Sequence, residues 1–394
     1  MQMLLGIVYA WSVFKKPLME AHGWSNTDVG LTFTILIAVL GVAAAFGGRF
    51  VDRSGARNVA ITGAVLFGLG TILAGVADAI GSKWLLWIGY GVLGGIGNGL
   101  GYVTPIAVLV RWFPDKRGVI TGLAVMGFGL GAAIMGKVAP GLIQSIGVPN
   151  TFYATGAVIL VVLTAAAMWL NNPPEGWMPA GWSPAANGSL ASGLSCNVAS
   201  AVRMNQFYLL WGILFINVTA GIALISNLSP MAQSQVRLSA LAAGTVIFVT
   251  SLCNGFGRIL WASVSDRIGR RTVFLLMLGT QVPVLLLLPG LSSSVLFTAA
   301  CCYILLCYGG GFATMPAFVA DTFGPECLGA IYGKVLLAWS AGGVVGPVLM
   351  EYAQKQSGTF STALQIAAGM LTLGFVLALL YRKPAAPLAT QNAC

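Results

Sequence analysis

From Ser361 to Tyr381 the chain runs with no charged residue and no proline. A helix needs about 20 mainly apolar residues to cross the hydrocarbon core of a bilayer. Cutting the sequence at its charges, prolines and Gly-polar clusters yields twelve stretches of this kind: Met1 to Leu18, Val29 to Phe46, Asn58 to Ile80, Trp84 to Phe113, Val119 to Ile143, Thr151 to Leu170, Phe207 to Leu228, Ala242 to Val264, Thr272 to Pro289, Val295 to Thr322, Ala330 to Leu349 and Ser361 to Tyr381. A soluble domain carries about 25% charged residues, whereas here only 8% are charged, 57% are hydrophobic and the mean hydropathy is +0.88. Lipid is therefore the main solvent, and the expected fold is an all-α membrane protein. The first stretch is short and opens at Met1 without a basic flank, so it reads as a weak span or the remnant of one that starts upstream. It lacks an A-x-A-like cleavage site, which argues against a signal peptide.

Lys and Arg are retained on the cytoplasmic side of a membrane. Alternate loops collect Arg49, Arg53, Arg57, Arg111, Lys116, Arg117, Arg203, Arg267, Arg270, Arg271, Arg382 and Lys383; the opposite loops hold Lys15, Lys16, Lys83, Lys137, Arg237 and Lys355. This bias predicts both termini in the cytoplasm, and it makes the net charge of +10 mostly a topology signal. The charge fits anionic headgroups or an anionic solute; nucleic acid is not an expected partner, because its binders carry a basic stripe on a polar domain. A segment rich in Pro, Gly, Ser and Trp separates the sixth and seventh stretches. It divides the chain into 1–171, a linker at 172–205, a second half at 206–381 and a tail at 382–394.

The halves are copies of each other. A shift of 211 places Gly99 on Gly310, Pro105 on Pro316 and Gly131 on Gly342. A shift of 214 places Gly48-Arg-Phe-Val-Asp52-Arg53-Ser-Gly55-Ala-Arg57 on Ala262-Ser-Val-Ser-Asp266-Arg267-Ile-Gly269-Arg270-Arg271. Chance matches of glycine are cheap in a chain with 52 of them, so the charged block decides the case. A carboxylate at a helix end can cap a neighbouring helix or pair with an arginine, latching two helices in one state of a rocking motion. Asp52, Arg53, Gly55, Arg57, Asp266 and Arg267 are the candidate latch; the alternative is a tight polar turn.

These blocks resemble the signature G-x-x-x-D-R-x-G-R-R of the major facilitator superfamily, with Ala262 and Ala56 as departures. The resemblance covers the whole chain. It implies twelve transmembrane helices in two pseudo-symmetric six-helix bundles with the substrate site between them near mid-membrane. Three segments, Arg111 to Gly118, Pro173 to Trp182 and Asn217 to Ser226, are similar to the oxalate/formate antiporter branch, which is related to the monocarboxylate transporters. The resemblance further implies a bacterial inner membrane and a small carboxylate substrate, moved with a proton or against a counter-anion.

For the substrate, the informative residue is Arg258, inside the eighth stretch. A charge within a span costs at least about 2.5 kcal/mol and marks a functional candidate, and a guanidinium fork matches a carboxylate. Snorkelling is the competing account, since Asp266 lies about 12 Å further along the helix axis. The resemblance favours the functional account: Arg258 matches the arginine on span eight that holds the substrate carboxylate in both oxalate and monocarboxylate carriers. Asn254, one turn earlier, stands where animal monocarboxylate carriers have an aspartate used in proton coupling. Asn cannot titrate, and no Asp or Glu lies deep in a predicted span. A proton then travels on the substrate, on water or on an interfacial acid such as Asp28, Asp321 or Glu351; otherwise the cycle is anion exchange.

The oxalate carriers have a second intramembrane lysine on span eleven in the register Tyr-Gly-x-x-x-x-x-Lys. Here Tyr332-Gly333 is followed in that register by Trp339, and Lys334 is expected at the interface. One buried cation suits one carboxylate, so a monocarboxylate of lactate or pyruvate size is expected rather than oxalate. Tyr9, Tyr102 and Tyr308 are candidates to bond the substrate's hydroxyl or keto oxygen, with Asn98 and Tyr303 as weaker ones, and Leu123 is a candidate apolar wall. Each has a bland alternative in helix packing. Seven cysteines form no disulfide framework or metal-ligand spacing, no phosphate-cradling motif occurs, and the single histidine, His22, leaves no catalytic Ser-His pair. No cofactor or enzymatic activity is expected. The reading is a secondary active transporter working by alternating access, with oxalate/formate or other anion exchange as the alternative substrate class and a motionless membrane scaffold as the alternative of another kind.

Overall fold

A computed structural model describes residues 1–113, 117–174, 177–179, 198–324 and 328–384, and gives the backbone alone at 48, 49, 52, 53, 110, 117–119, 121 and 329. The described residues are helical almost throughout. Helix α1 (residues 2–22) is in three pieces, Gln2–Gly6, a 3-10 turn at Ile7–Ala10, and Ser12–His22. Then come α2 (Asn26–Ser54), α3 (Ala56–Ala79) and α4 (residues 83–112, π-helical over Trp87–Leu93). A single run from Arg117 breaks at Gly147, φ 81°, into α5 (117–146) and α6 (148–168). The second half holds α7 (Asn205–Ser234), α8 (Ala240–Ile268), α9 (Arg270–Leu287), α10 (Ser294–Phe323), α11 (Leu328–Val335 and Leu337–Ser357) and α12 (Ser361–Leu380). Among the described residues ten helices are long and apolar enough to cross a membrane; one of them spans the Gly147 turn and so counts twice, and the broken α1 completes twelve.

Local chemistry sets the turns. Ser25 accepts the Asp28 N–H while the Asp28 carboxylate accepts the Ser25 N–H, a capping box that starts α2. Gly55 and Gly269 adopt φ of 80° and 90° with ψ near 148°, a region closed to side-chain-bearing residues, at equivalent points of the two halves. The repeated motif therefore encodes the same corner twice. Of the linker expected at 172–205, the described part includes a short helix at Val198–Ala201; residues 180–197 of it lie outside the described residues.

The second copy of the charged block makes a polar contact at its corner. Asp266 pairs with Arg270 at 2.5 Å, not with Arg267, which is exposed. Arg270 also reaches Asp321 at 3.3 Å, so the contact ties α8, α9 and α10 within one half. Arg57 donates to the Asn171 side chain at 2.6 Å, tying α3 to the end of α6. The side chains of Asp52 and Arg53 lie outside the described residues.

Odd-numbered helices run from the end that carries Gly55 and Gly269 towards the end that carries Gly23, and even-numbered ones return. From mid-span to the Gly23 end the halves are closely joined. Helix α1 meets α7 through Lys16 and Gln233 and through Ser12 and the Ser229 amide. Helix α5 crosses α8 with Gly129 against Gly255, where a Cβ on Gly129 would come within 3.0 Å of the Ser251 carbonyl and the Gly255 amide. Helix α2 lies on α11 in the same way, Gly41 against Ser340.

Candidate functional site

Midway along α8, Asn254 and Arg258 share one face, one turn apart, as their spacing dictates. Both are buried, Arg258 at 2% exposure. Snorkelling is therefore absent from this structure: the guanidinium faces the interior. Its Cζ stands 5.5 Å from the centre of the Phe312 ring, and its Nε and Nη1 have no hydrogen-bond partner. Among the described residues no carboxylate pairs with it.

Aromatic rings from both halves enclose this cation. Tyr9 sits in the 3-10 turn that interrupts α1, and its hydroxyl meets that of Tyr308 on α10 at 2.5 Å. Tyr102 on α4 lies beside Arg258 and packs edge-on against Trp339 at 5.1 Å and Phe128 at 5.6 Å. Phe312, one turn after Tyr308, packs against Trp339 at 5.0 Å. The Trp339 Nε1 and the Asn254 Oδ1 are buried without a partner. A buried polar atom left unpaired costs about 1 to 3 kcal/mol, and several such atoms surround this one cation.

The structure thus brings Tyr9, Tyr102, Tyr308, Asn254 and Arg258 together. Leu123 stands apart: it is 48% exposed and lies five residues, about 140° of helix rotation, from Phe128, which packs on Tyr9 and Tyr102. Asn98 donates to the Leu5 carbonyl and Tyr303 bonds Thr280, so both tie helices outside the cluster. Phe128 and Phe312 were missed because a lone Phe in an apolar run reads as core.

Two corrections concern charge. Lys15, read as a loop residue, has 0% exposure inside α1, and Glu351, read as interfacial, has 4% inside α11. They pair at 3.3 Å. Asp78 is buried as well, with its Oδ1 2.5 Å from His22 Nε2. The Lys15–Glu351 pair cancels internally, so Arg258 remains the uncompensated cation near the middle of the described structure.

Residues 2–259 and 210–393 match the family model described as Major Facilitator Superfamily. The chain belongs to this superfamily of transporters. It is similar to the oxalate:formate antiporter of Oxalobacter formigenes, 27% identical over 383 residues that cover 96% of this chain and 88% of that one. It is similar to an uncharacterized MFS-type transporter of Escherichia coli strain K12, 27% identical over 344 residues, 87% of this chain and 83% of the other. It also resembles apicoplast pyruvate carrier 1 of Toxoplasma gondii, 23% identical over 347 residues, 71% and 61% of the respective chains. The transporter is an integral membrane protein with the all-α fold of the superfamily.

Proposed function

We propose that this transporter moves a small monocarboxylate of lactate or pyruvate size by alternating access, together with a proton. The observation that carries the reading is Arg258: a buried guanidinium with two unpartnered donor nitrogens and, among the described residues, no acid paired with it. A carboxylate that accepts a hydrogen bond from these donors also neutralises the guanidinium, and in a site of low dielectric both effects are strong. Trp339 occupies the register in which the resemblance places a second cation, and it offers one N–H donor and a large apolar face. A dicarboxylate would bring a second negative charge with no partner, at a cost of several kcal/mol. Tyr9, Tyr102 and Tyr308 are assigned to the hydroxyl or keto oxygen, and Asn254 to the carboxylate's far edge.

The domain reading belongs to this proposal: 1–171 and 206–381 are the bodies that rock, joined by 172–205, with 382–394 as a tail. The basic residues gathered at the Gly55 end make it the cytoplasmic one, with both termini there, in a bacterial inner membrane. The Asp266–Arg270–Asp321 contact is assigned the holding of the second body's corner during rocking. Exchange of oxalate for formate is the second reading, favoured by similarity to the Oxalobacter protein along nearly the whole chain.

Counterflow in proteoliposomes with labelled acids of one to four carbons separates the two. The monocarboxylate reading expects lactate or pyruvate to exchange, oxalate to fail, and an inward pH gradient to drive net accumulation. Uptake that needs a preloaded counter-anion and ignores pH would favour exchange.

A further inference from the structure

The buried pair between Lys15 and Glu351 lies outside the cluster around Arg258 and joins the two halves of the chain. Lys15 belongs to α1 and Glu351 to α11, and Lys15 Nζ also donates to Asn227 Oδ1 on α7 at 2.8 Å. Asn227 is itself fully buried and bonded to Ser226. The pair is built into the contact rather than draped over it: Gly30 of α2 backs Glu351 so closely that a Cβ there would stand 1.4 Å from Oε1. Any motion that parts the halves at the Gly23 end must separate these two charges.

We propose that Lys15 and Glu351 form a charge-matched lock on the Gly23 end, which closes only when the two side chains enter it with no net charge. Burying either ion alone is costly, whereas the pair enters compensated. The rule is about matching rather than about attraction, so replacing both with neutral side chains should leave closure possible. The inference rests on the reading of the chain as an alternating-access carrier.

Other charged groups around the pair are engaged elsewhere or at the rim. On α2, Asp28 pairs with Lys83. On α1, Lys16 pairs with Glu20 and His22 with Asp78. On α5, Lys137 bonds Thr245, and on α11 Lys355 is exposed and Lys334 lies nearly five turns away towards the other end. Helices α7 and α12 carry no charged residue; of the phenols, Tyr352 beside Glu351 is exposed, Tyr9, six residues before Lys15, bonds Tyr308, and Tyr208 stands at the opposite end of α7.

The matching rule gives two single variants opposite pH responses. In Lys15→Gln, Glu351 is buried alone on closure and must take up a proton, so closure strengthens as pH falls. In Glu351→Gln, Lys15 must lose one, so closure strengthens as pH rises. Each response approaches tenfold in the closed-to-open ratio per pH unit, the limit for one proton. Lys15→Gln with Glu351→Gln together should close as wild type does and lose both responses.

Nitroxide labels on exposed Ala21 and Gln356, in a full-length background freed of its cysteines, report this end by double electron–electron resonance in proteoliposomes. The mirrored slopes and their disappearance in the double variant are the expected result. Slopes of the same sign in the two single variants, or a double variant held open, overturn the lock. If the single variants do not fold, the swapped pair Lys15→Glu with Glu351→Lys decides: a closed population at neutral pH is expected, and its absence overturns the proposal. Flux of labelled lactate through the wild type is read in the same vesicles. Flux with no mirrored slopes defeats the lock alone, and no flux with no movement of the labels defeats the carrier reading itself.

Discussion

Tyr9 and Tyr308 share a hydrogen bond of 2.5 Å that joins α1 to α10 beside Arg258. It is a contact between the two halves made by side chains that also face the cluster. Under the proposed function a guest oxygen would compete with it directly, so binding and the association of the halves would use the same atoms.

Tyr308→Phe removes one hydroxyl and keeps the ring that packs on Phe312 at 5.2 Å. The net worth of a hydrogen bond is about 0.5 to 1.5 kcal/mol, so the concentration for half-maximal uptake of a hydroxy or keto acid should rise roughly two- to twelvefold. A plain acid of the same size, such as propionate, should be little affected. Uptake curves for lactate and propionate measured side by side check this.

Trp339→Lys adds a cation beside Arg258, in contact range of Tyr102 and Phe312. The site then carries two positive charges for one carboxylate. Oxalate should become a competitor of lactate uptake, and lactate affinity should fall. Competition assays with unlabelled oxalate read both changes, and an oxalate response equal to that of the wild type contradicts the argument from charge count.

Gly269→Ala forces a side chain into φ 90° at the corner between α8 and α9. Strain of this kind costs about 1 to 3 kcal/mol. Gly290→Ala is the control, since a Cβ there meets nothing within 4 Å and its φ is ordinary. Thermal unfolding of the purified proteins should show a lowered midpoint for the first and none for the second.

Gly30→Ala places a methyl carbon where the Glu351 carboxylate now lies. The acid must move away from Lys15, and the Gly23 end should open. Labels on Ala21 and Gln356 should report a longer distance than in the wild type, while Gly290→Ala, at the same end of the molecule with open space at its Cβ and an ordinary φ, leaves the pair untouched.

The spans were legible where the chain has nothing but apolar residues to offer. Helices α3, α7 and α12 follow directly from their runs, and the corner glycines Gly55 and Gly269 follow from the repeated charged block. Arg258 stood out because a lone charge in an apolar run has no bland neighbours. Lys15 was hidden for the opposite reason. It sits beside Lys16 and two residues before Pro17, near the end of a short stretch, and this looks like a loop; only the partner on α11, 336 residues away, explains its burial. The 3-10 turn that aims Tyr9 has no glycine or proline within it to announce it. Leu123 and Phe128 share one helix, and hydropathy alone does not say which of them faces the other half.

Arg258 is proposed to hold a single carboxylate. Counterflow of labelled lactate through wild type, Arg258→Lys and Arg258→Ala, in vesicles checked for equal protein content, puts that role to the test. Hydrogen bonds to a charged group are worth about 1.5 to 3 kcal/mol. Exchange is expected from the wild type, reduced at least about tenfold in Arg258→Lys, which keeps the charge and loses the planar guanidinium, and none above empty vesicles in Arg258→Ala. Full exchange by Arg258→Ala would overturn the assignment.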